Sequence, residues 1–451
     1  MLSDEVLLEI FAFYLCRDGD EEEWKTLVHV CRRWRSIVFG SPLSLKVRIV
    51  CADETCNEAL DIWPAFPIII RIANLNTDLG DNLLTAFKQR DRICEIHIDN
   101  VSDDWMDKLE LVMEDPFPAL TVLDIQSKEE EELFLSDSFL GGSAPSLRSL
   151  YLRAIEYQAL PKLLSSAPGL VRLHLVDMPD WHISPEEMVD SLSSLTRLEQ
   201  LELHYLGPRS NHANRRPPPL TRTVLPVLTS LAFRGEGEYL DHLFAHTHFP
   251  QLKDVDIAFF DPVIFDFSQI SRFIGHTEAF EVFDQTNMLF NWGSVDITFS
   301  SSKGTTHGHL LMLSIKCGGT VWYLKSLAQT RRPLLFDIFD RHLPHWANDM
   351  GNAEWLELLG FFTAVENLYL SQGLALCIAP ALQELATGEG AMTEVLPVLQ
   401  HVFIERLERF KSGPVQAAIG KFVAARELSG HPVAVERLVK ENNAVSALGG
   451  R

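Results

Sequence analysis

The chain opens on an amphipathic rhythm. Val6, Leu7, Ile10, Phe11 and Tyr14 recur at three- and four-residue spacing, which marks one buried face of a helix. Ser3 stands where an N-cap belongs, and Asp4 and Glu5 put negative charge in the first turn, where it favours the helix dipole. The acidic run Asp18-Gly19-Asp20-Glu21-Glu22-Glu23 breaks the pattern and reads as a solvated loop. A second helical stretch comes next, with Trp24, Leu27, Val28, Cys31, Trp34 and Val38 apolar and Lys25, Arg32, Arg33 and Arg35 polar, closed by Gly40-Ser41-Pro42. Leu8 and Leu15 add apolar area on the far side of the first helix. A segment this short cannot bury so much apolar surface by itself. The surplus calls for cover by the rest of the chain or by a partner.

The middle of the chain is repetitive. The core apolar-x-x-apolar-x-apolar recurs as Ile93, Ile96, Ile98; Leu120, Leu123, Ile125; Leu147, Leu150, Leu152; and Leu170, Leu173, Leu175. It continues as Leu198, Leu201, Leu203; Leu228, Leu231, Phe233; and Leu252, Val255, Ile257. Successive starts at 93, 120, 147, 170, 198, 228 and 252 differ by 27, 27, 23, 28, 30 and 24 residues. That spacing predicts leucine-rich units, each giving one short strand and a returning helix or coil. The intervening segments agree. Asp104 to Glu114 is amphipathic, Ser184-Pro185-Glu186-Glu187 is a capping box with proline at the first helical position, and Glu238 to His246 is helical in pattern.

Beyond Ile257 the period loosens, with further matches at Leu310, Leu313, Ile315; Val365, Leu368, Leu370; and Leu399, Val402, Ile404. The longer gaps predict larger units or inserted hairpins, with Val295–Ser300 and Thr320–Tyr323 as candidate extra strands. Pro414 to Leu438 reads as a mostly helical cap, and Gly207 to Pro219 as an exposed loop. The expected fold is an α/β solenoid: a helical module over residues 1–50, then an irregular array of parallel strands with outer helices over 51–451. The units are clearest over 93–257 and looser, with the helical cap, over 258–451.

Charge narrows the partners. The net charge of −23 repels phosphate backbones and anionic lipid, so neither nucleic acid nor a membrane is an expected partner. The opening residues Met1 to Glu5 are acidic where a signal peptide is basic, and runs such as Trp63 to Ile70 are too short to span a bilayer. Seven cysteines (Cys16, Cys31, Cys51, Cys56, Cys94, Cys317 and Cys377) contain no C-x-x-C and lie mostly in apolar stretches. They read as reduced, buried thiols of a cytoplasmic or nuclear protein; the pair closest in sequence, Cys51 and Cys56, could in principle form a disulfide.

Two segments carry a family likeness. Leu2-Ser3-Asp4-Glu5-Val6-Leu7-Leu8-Glu9-Ile10-Phe11 and Val30-Cys31-Arg32-Arg33-Trp34-Arg35-Ser36-Ile37 resemble the two halves of an F-box motif. The stretch from His29 to Pro42, with Asp61-Ile62-Trp63-Pro64 after it, is similar to F-box proteins abundant in mushroom-forming fungi. The likeness implies an N-terminal F-box followed by irregular leucine-rich repeats. It implies a substrate-recognition subunit of an Skp–cullin–F-box ubiquitin ligase, which would bind an Skp-type adaptor, and through it a cullin-RING ligase, and present a protein substrate. The residues expected to make or support the adaptor contact are Leu2, Val6, Leu7, Ile10, Phe11, Leu27, Val30, Cys31, Trp34 and Ile37. The chain departs from the pattern at Ser3, where the family has proline, in starting almost on the motif, and in lacking the asparagine that usually follows each strand. Val101, Ile155 and Met178 hold that place. The alternative is a leucine-rich-repeat scaffold or receptor with no ubiquitin-ligase role.

Catalytic chemistry finds little footing. His242, His246 and His248 have H-x-x-x-H-x-H spacing, but a zinc site needs a further ligand or base nearby; a metal hydrolase built on them is the weakest of the three functions. His307 and His309 flank a glycine and read as a turn. No H-E-x-x-H, P-loop or G-x-S-x-G is present, and Gly141-Gly142-Ser143 and the acidic run Glu129 to Glu132 read as a loop and a solvated face. No cofactor and no enzymatic activity are expected. In a strand–helix array the x positions of each core lie on the sheet face away from the helices. These are Cys94, Glu95 and His97; Thr121, Val122 and Asp124; Arg148, Ser149 and Tyr151; Val171, Arg172 and His174; Glu199, Gln200 and Glu202. Substrate contacts are expected at Tyr151, Arg172, His174 and Glu202.

Overall fold

The computed structural model describes residues 2–15, 23–42, 44–52, 56–73, 85–101, 103–127, 133–178, 183–206, 222–259, 285–291, 294–300, 310–316, 334–340, 351–360, 365–370, 372–387, 395–405 and 413–438. They form a mixed α/β architecture in two compact units, Met1–Leu228 with His246–Phe249, and Thr229–Ala245 with Pro250–Arg451. The expected loop 207–219, the acidic run 18–22, the run 129–132, the candidate strand 320–323, and Cys16, Cys317, His307 and His309 lie outside the described residues.

The first unit begins with three helices, α1 (Asp4–Leu15), α2 (Trp24–Val30) and α3 (Arg32–Gly40). The single helix expected over 24–38 is therefore two. Cys31 adopts an extended conformation between them, and its Sγ accepts the Trp34 N–H at 3.5 Å, so it caps α3 and is not part of one continuous helix. Ser3 accepts the Val6 N–H at 3.4 Å, as an N-cap does. Arg33 donates to Asp4 Oδ1 and to the Leu2 carbonyl, both at 2.6 Å, and so pins the start of α1 to α3. Arg35 donates to the Val28 carbonyl at 3.0 Å and holds the α2–α3 corner.

Trp24 joins these helices to the segments around Arg48 and Trp63. It is fully buried, its Nε1 donates to the Arg48 carbonyl at 2.9 Å, and its ring meets Trp63 and Phe66 edge-on at 5.1 and 5.5 Å. Trp63 also faces Phe39 and His29 at 6.1 and 6.2 Å.

The sheet starts at β1 (Ile49–Cys51), so position 50 falls inside a strand. It is followed by α4 (Cys56–Ile62), β2 (Ile68–Ala73), β3 (Ile93–Val101), α5 (Asp103–Met113), β4 (Val122–Ser127), β5 (Leu133–Leu135) and β6 (Ser149–Arg153). Then come β7 (Ile155–Tyr157), α6 (Leu160–Ser165), β8 (Arg172–Met178), α7 (Pro185–Leu192), β9 (Gln200–Tyr205) and the short β10 (Thr223–Val224). The strands run in the order β1-β2-β3-β4-β6-β8-β9, and every one of these pairings is parallel. β5 and β7 pair separately, also in parallel. Cys51 and Cys56 are joined as a disulfide between β1 and α4, which corrects the expectation of reduced thiols at this pair.

Four strands, β4, β6, β8 and β9, have the same local construction. The last core position before the strand is a buried leucine whose N–H bonds the carbonyl three residues back: Leu120 to Phe117, Leu147 to Ala144, Leu170 to Ala167, and Leu198 to Leu195, at 3.1 Å in each case. The next residue donates across to the neighbouring unit: Thr121 to Cys94, Arg148 to Thr121, Val171 to Arg148, and Glu199 to Val171, each at 2.8 Å. All the apolar core positions from Ile93 to Ile257 are buried, and the buried sides of the connecting helices, such as Leu160, Leu163 and Leu164 on α6, supply further apolar cover. The capping box at Ser184 forms, with Ser184 Oγ accepting from the Glu187 N–H at 3.2 Å.

Near the ends of three strands the turn is made by a left-handed residue. Asn100, Ala154 and Asp177 take left-handed conformations (φ 58°, 54° and 52°). They turn the following Val101, Ile155 and Met178 into the core.

The second unit contains β11 (Ser230–Gly235), α8 (Gly237–His246), β13 (Asp254–Phe259), β14 (Gln285–Asn291), β15 (Ser294–Ser300), β16 (Leu310–Lys316) and β17 (Leu334–Asp340). β12 (Thr247–His248), which pairs with β10, belongs to the first unit. The second unit continues with α9 (Asn352–Gly360), β18 (Val365–Leu370), α10 (Gln372–Thr387), β19 (His401–Glu405), α11 (Pro414–Leu428) and β20 (Ala434–Leu438). Its sheet order is β11-β13-β16-β15-β14-β17-β18-β19-β20. β15 pairs antiparallel with both β14 and β16, which is an inserted hairpin of the kind the loosened period predicts. The expected helical cap over 414–438 is corrected at its end. Residues 434–438 form β20, a further parallel strand on β19.

Arg426 of α11 is wholly buried, and its Nη2 donates to the carbonyls of Leu396, Pro397 and Leu399 at 3.3, 3.3 and 3.5 Å. Burial lowers its pKa from the ordinary value. These carbonyls belong to the turn that delivers Leu399 to the core, where Leu396 has a positive φ of 48°. Arg426→Met keeps the volume and removes the donor, and is expected to destabilise the protein by about 2–3 kcal/mol. Urea unfolding followed by circular dichroism measures this; an unchanged midpoint would mean that the turn does not need the guanidinium.

Candidate protein-docking surfaces

Two surfaces of the first unit contain the residues singled out from the sequence. On the helical module the burial separates them. Leu7, Phe11, Leu27 and Ile37 are buried and form the module's own core. Leu2, Val6, Ile10, Phe13, Tyr14 and Val30 are 41–69% exposed, and Cys31 is exposed beside them in the chain. Trp34 is half-buried, with its ring 4.7 Å from Phe11. Of the ten residues expected to serve a partner, four thus support the face from beneath. Phe13, absent from that expectation, is the most exposed apolar side chain of α1. Its position two residues beyond Phe11 places it off the buried stripe, a signal already present in the sequence.

The second surface is the half-buried face of the parallel sheet. Strand register lines up Arg71, His97, Asp124, Tyr151, His174 and Glu202 in one row across β2, β3, β4, β6, β8 and β9. Three of the four expected substrate contacts, Tyr151, His174 and Glu202, therefore lie side by side. Arg172 belongs to the adjacent row, between Ser149 and Gln200, and is exposed.

The row is electrostatically paired. His174 Nδ1 lies 2.5 Å from Glu202 Oε2, and His204 Nε2 lies 3.5 Å from Glu202 Oε1. The pairing with His174 holds the Glu202 carboxyl below its ordinary pKa. The rings of Tyr151 and His174 sit 5.8 Å apart, tilted by 31°, and burial raises the Tyr151 hydroxyl. Further along, His97 is held between Asp124, at 3.7 Å, and Glu95, at 3.4 Å. Those carboxylates, Asp124 first, push its pKa up to about 9. Glu95 also pairs with Arg48 and is held low chiefly by His97. Arg153 donates to Asp177 at 2.9 Å and Gln126 to Asp124 at 3.2 Å. Asp99 is raised by burial, with the like charge of Asp124 adding to it. Strand alternation alone places Glu95, His97 and Asp124 on this face, outside the expected contact set. Arg153, Asp177 and His204 lie beyond the expected positions, although the same alternation carried past the last core residue of each strand reaches Arg153 and His204.

Among the described residues no group of three or more His, Cys, Asp or Glu side chains is arranged to hold a metal ion, and no helix is long and apolar enough to cross a membrane. His242 and His246 lie on α8, and His248 on β12. No protein-family model matches the chain, and no curated protein matches it either.

The His97 cluster makes a stability prediction. Folding raises the pKa from 6.5 to about 9, so the protonated ring stabilises the fold fully below pH 6.5, and that contribution is lost as the pH rises through about 9. His97→Gln is expected to cost about 1–2 kcal/mol at pH 6, allowing for solvent at a partly exposed pair, and almost nothing at pH 10. Denaturant unfolding of both proteins from pH 6 to 10 measures the difference, and a gap that stays constant with pH would rule out the assigned pairing.

Proposed function

We propose that the chain is the substrate-recognition subunit of an Skp–cullin–F-box ubiquitin ligase, with α1–α3 as an F-box that binds an Skp-type adaptor and the rest as an irregular leucine-rich-repeat solenoid that holds a protein substrate. The observation that carries this reading is the helical face itself. Leu2, Val6, Ile10, Phe13, Tyr14 and Val30 are exposed on a module whose Leu7, Phe11, Leu27 and Ile37 already fill its core. Exposed apolar side chains recurring along α1 in this way are costly in water unless a partner covers them. The α/β alternation, the parallel register and the 23–30-residue spacing of the cores support the solenoid. Ser3, where the family has proline, still caps α1, and Arg33 fixes the same end, so the substitution leaves the entry to α1 ordered.

In this reading no residue of the chain makes or breaks a bond. The rate gain comes from proximity, because the substrate and a ubiquitin-charged enzyme are held on one assembly at raised effective concentration. The sheet-face row around Tyr151, His174 and Glu202, with Arg172 beside it, would contact the substrate.

Val6→Asp with Ile10→Asp changes only exposed positions. It is expected to leave folding intact while weakening adaptor binding by at least about 2 kcal/mol, roughly 30-fold. Leu7→Asp is expected to disrupt the module itself. Titration of purified adaptor by calorimetry measures the binding, and wild-type affinity in the double variant would overturn the F-box reading.

On the sheet face, Tyr151→Ala with Arg172→Glu is expected to deplete particular proteins from a pull-down while adaptor binding stays unchanged. The same bound set in variant and wild type would exclude this face as the substrate site.

A further inference from the structure

The disulfide lies at a junction between elements. Cys51 is the last residue of β1, the strand at one edge of the sheet order, and Cys56 is the first residue of α4. Both are buried, at 0% and 1% exposure. From Cys56 the chain runs through α4 directly to Trp63, whose ring touches Trp24 of α2, His29 of α2 and Phe39 of α3. One end of the α4–Trp63 segment is thus fixed covalently to the sheet edge, and the other is fixed by aromatic packing to α2 and α3. Within α4, Cys56 is the one buried side chain, and Ile62 is largely exposed.

We propose that Cys51 and Cys56 form a reversible thiol–disulfide site that sets how firmly the α4–Trp63 segment, and through it the α2–α3 pair, is held at the β1 edge. The co-reactant is a low-molecular-weight disulfide. One cysteine thiolate attacks it, giving a mixed disulfide and releasing one small thiol. The second cysteine sulfur then displaces the remaining small thiolate, which leaves with the second proton. Two cysteine thiols are oxidised to one disulfide, and one external disulfide is reduced to two thiols.

The effect is local. The two cysteines are only five residues apart, so closing the loop removes little entropy from the unfolded chain. What the bond changes is the freedom of α4 to lift from the edge with Cys56 unattached. Because both sulfurs are buried, exchange requires α4 to open first, and the pair reacts more slowly than the exposed Cys31. The inference does not depend on the F-box reading, since its readouts involve no adaptor.

The test uses the full chain, prepared once in a phosphine reductant and once equilibrated with oxidised glutathione. Peptide mapping after alkylation in denaturant reports the linkage, and hydrogen–deuterium exchange on the native protein reports local order. The oxidised sample is expected to contain the Cys51–Cys56 peptide pair. On reduction, amides of residues 56–63 are expected to exchange at least about tenfold faster, those of 24–30 more modestly, and those of the strands over 93–205 at an unchanged rate. A Cys51→Ala, Cys56→Ala variant is expected to match the reduced protein under both treatments. Failure of the pair to link under conditions that glutathionylate Cys31 would overturn the proposal, and so would identical exchange over 56–63 in the oxidised and reduced protein. The oxidised-to-reduced comparison in the wild type decides the matter even if the alanine variant folds poorly.

Discussion

A parallel strand of five or six residues has too little apolar surface to be stable alone, so each must enter the sheet at the same height as its neighbour and bury the same face. Several described strands meet this requirement with one repeated turn. An apolar residue, three positions before the leucine, accepts that leucine's N–H, and the next residue donates to the unit before. In the sequence the turn reads Phe117-Pro118-Ala119-Leu120, Ala144-Pro145-Ser146-Leu147, Ala167-Pro168-Gly169-Leu170, Leu225-Pro226-Val227-Leu228 and Leu396-Pro397-Val398-Leu399, with Leu195-Thr196-Arg197-Leu198 as the variant without proline; Phe249-Pro250-Gln251-Leu252 repeats the sequence pattern. Proline suits the second position of a four-residue turn because its φ is already set and its missing N–H is not needed there. Register, burial and the alignment of the polar row all depend on that fixed entry point.

The parts of the fold legible in the sequence are those with a local signal. The seven apolar cores, the capping box at Ser184, the helix at 103–113 and the loosening after Ile257 each announce themselves through periodicity or caps. The Pro-containing turn is equally visible but lies just outside the six-residue core. The break at Cys31 is harder, because an extended residue between two stretches of helical spacing leaves the apolar pattern intact. β20 is hidden for a related reason: Ala434 to Leu438 is too short to show a period of its own, and it becomes a strand because β19 offers an open edge. The disulfide needs three dimensions, since only the folding of α4 back on β1 brings two ordinary buried thiols together.

The candidate surfaces are legible to different depths. Alternation along a strand tells which side chains share the half-buried face, and the register then sets Tyr151, His174 and Glu202 in a row. Pairing within that row is not legible, because a contact such as His97 with Asp124 depends on which strands are neighbours. On the helices the stripe of Val6, Leu7, Ile10 and Phe11 is clear, yet its division into core and surface is not. Leu7 and Phe11 are buried because Trp34 and the rest of α3 lie over one side of α1, and helical spacing alone does not say which side that is.

The two surfaces have opposite energetics, and this bears on how they would share work. On the sheet face, Glu95, Asp124, Glu202, Arg48, Arg153 and His97 already have partners. A protein that docks there must desolvate charges whose attractions are satisfied, and can gain only by matching them geometrically; such contacts discriminate between partners more than they add affinity. The exposed side chains of α1 have no such satisfaction to lose, so covering them releases water from apolar area and yields affinity with modest geometric demand. Under the proposed function, this division would suit one constant partner on the helices and variable partners on the sheet. The disulfide lies at the β1 end of the α4–Trp63 segment, whose Trp63 ring packs on Trp24. In the proposed reading, the firmness of that joint would bear on how a protein held on the sheet is positioned with respect to one held by the helices.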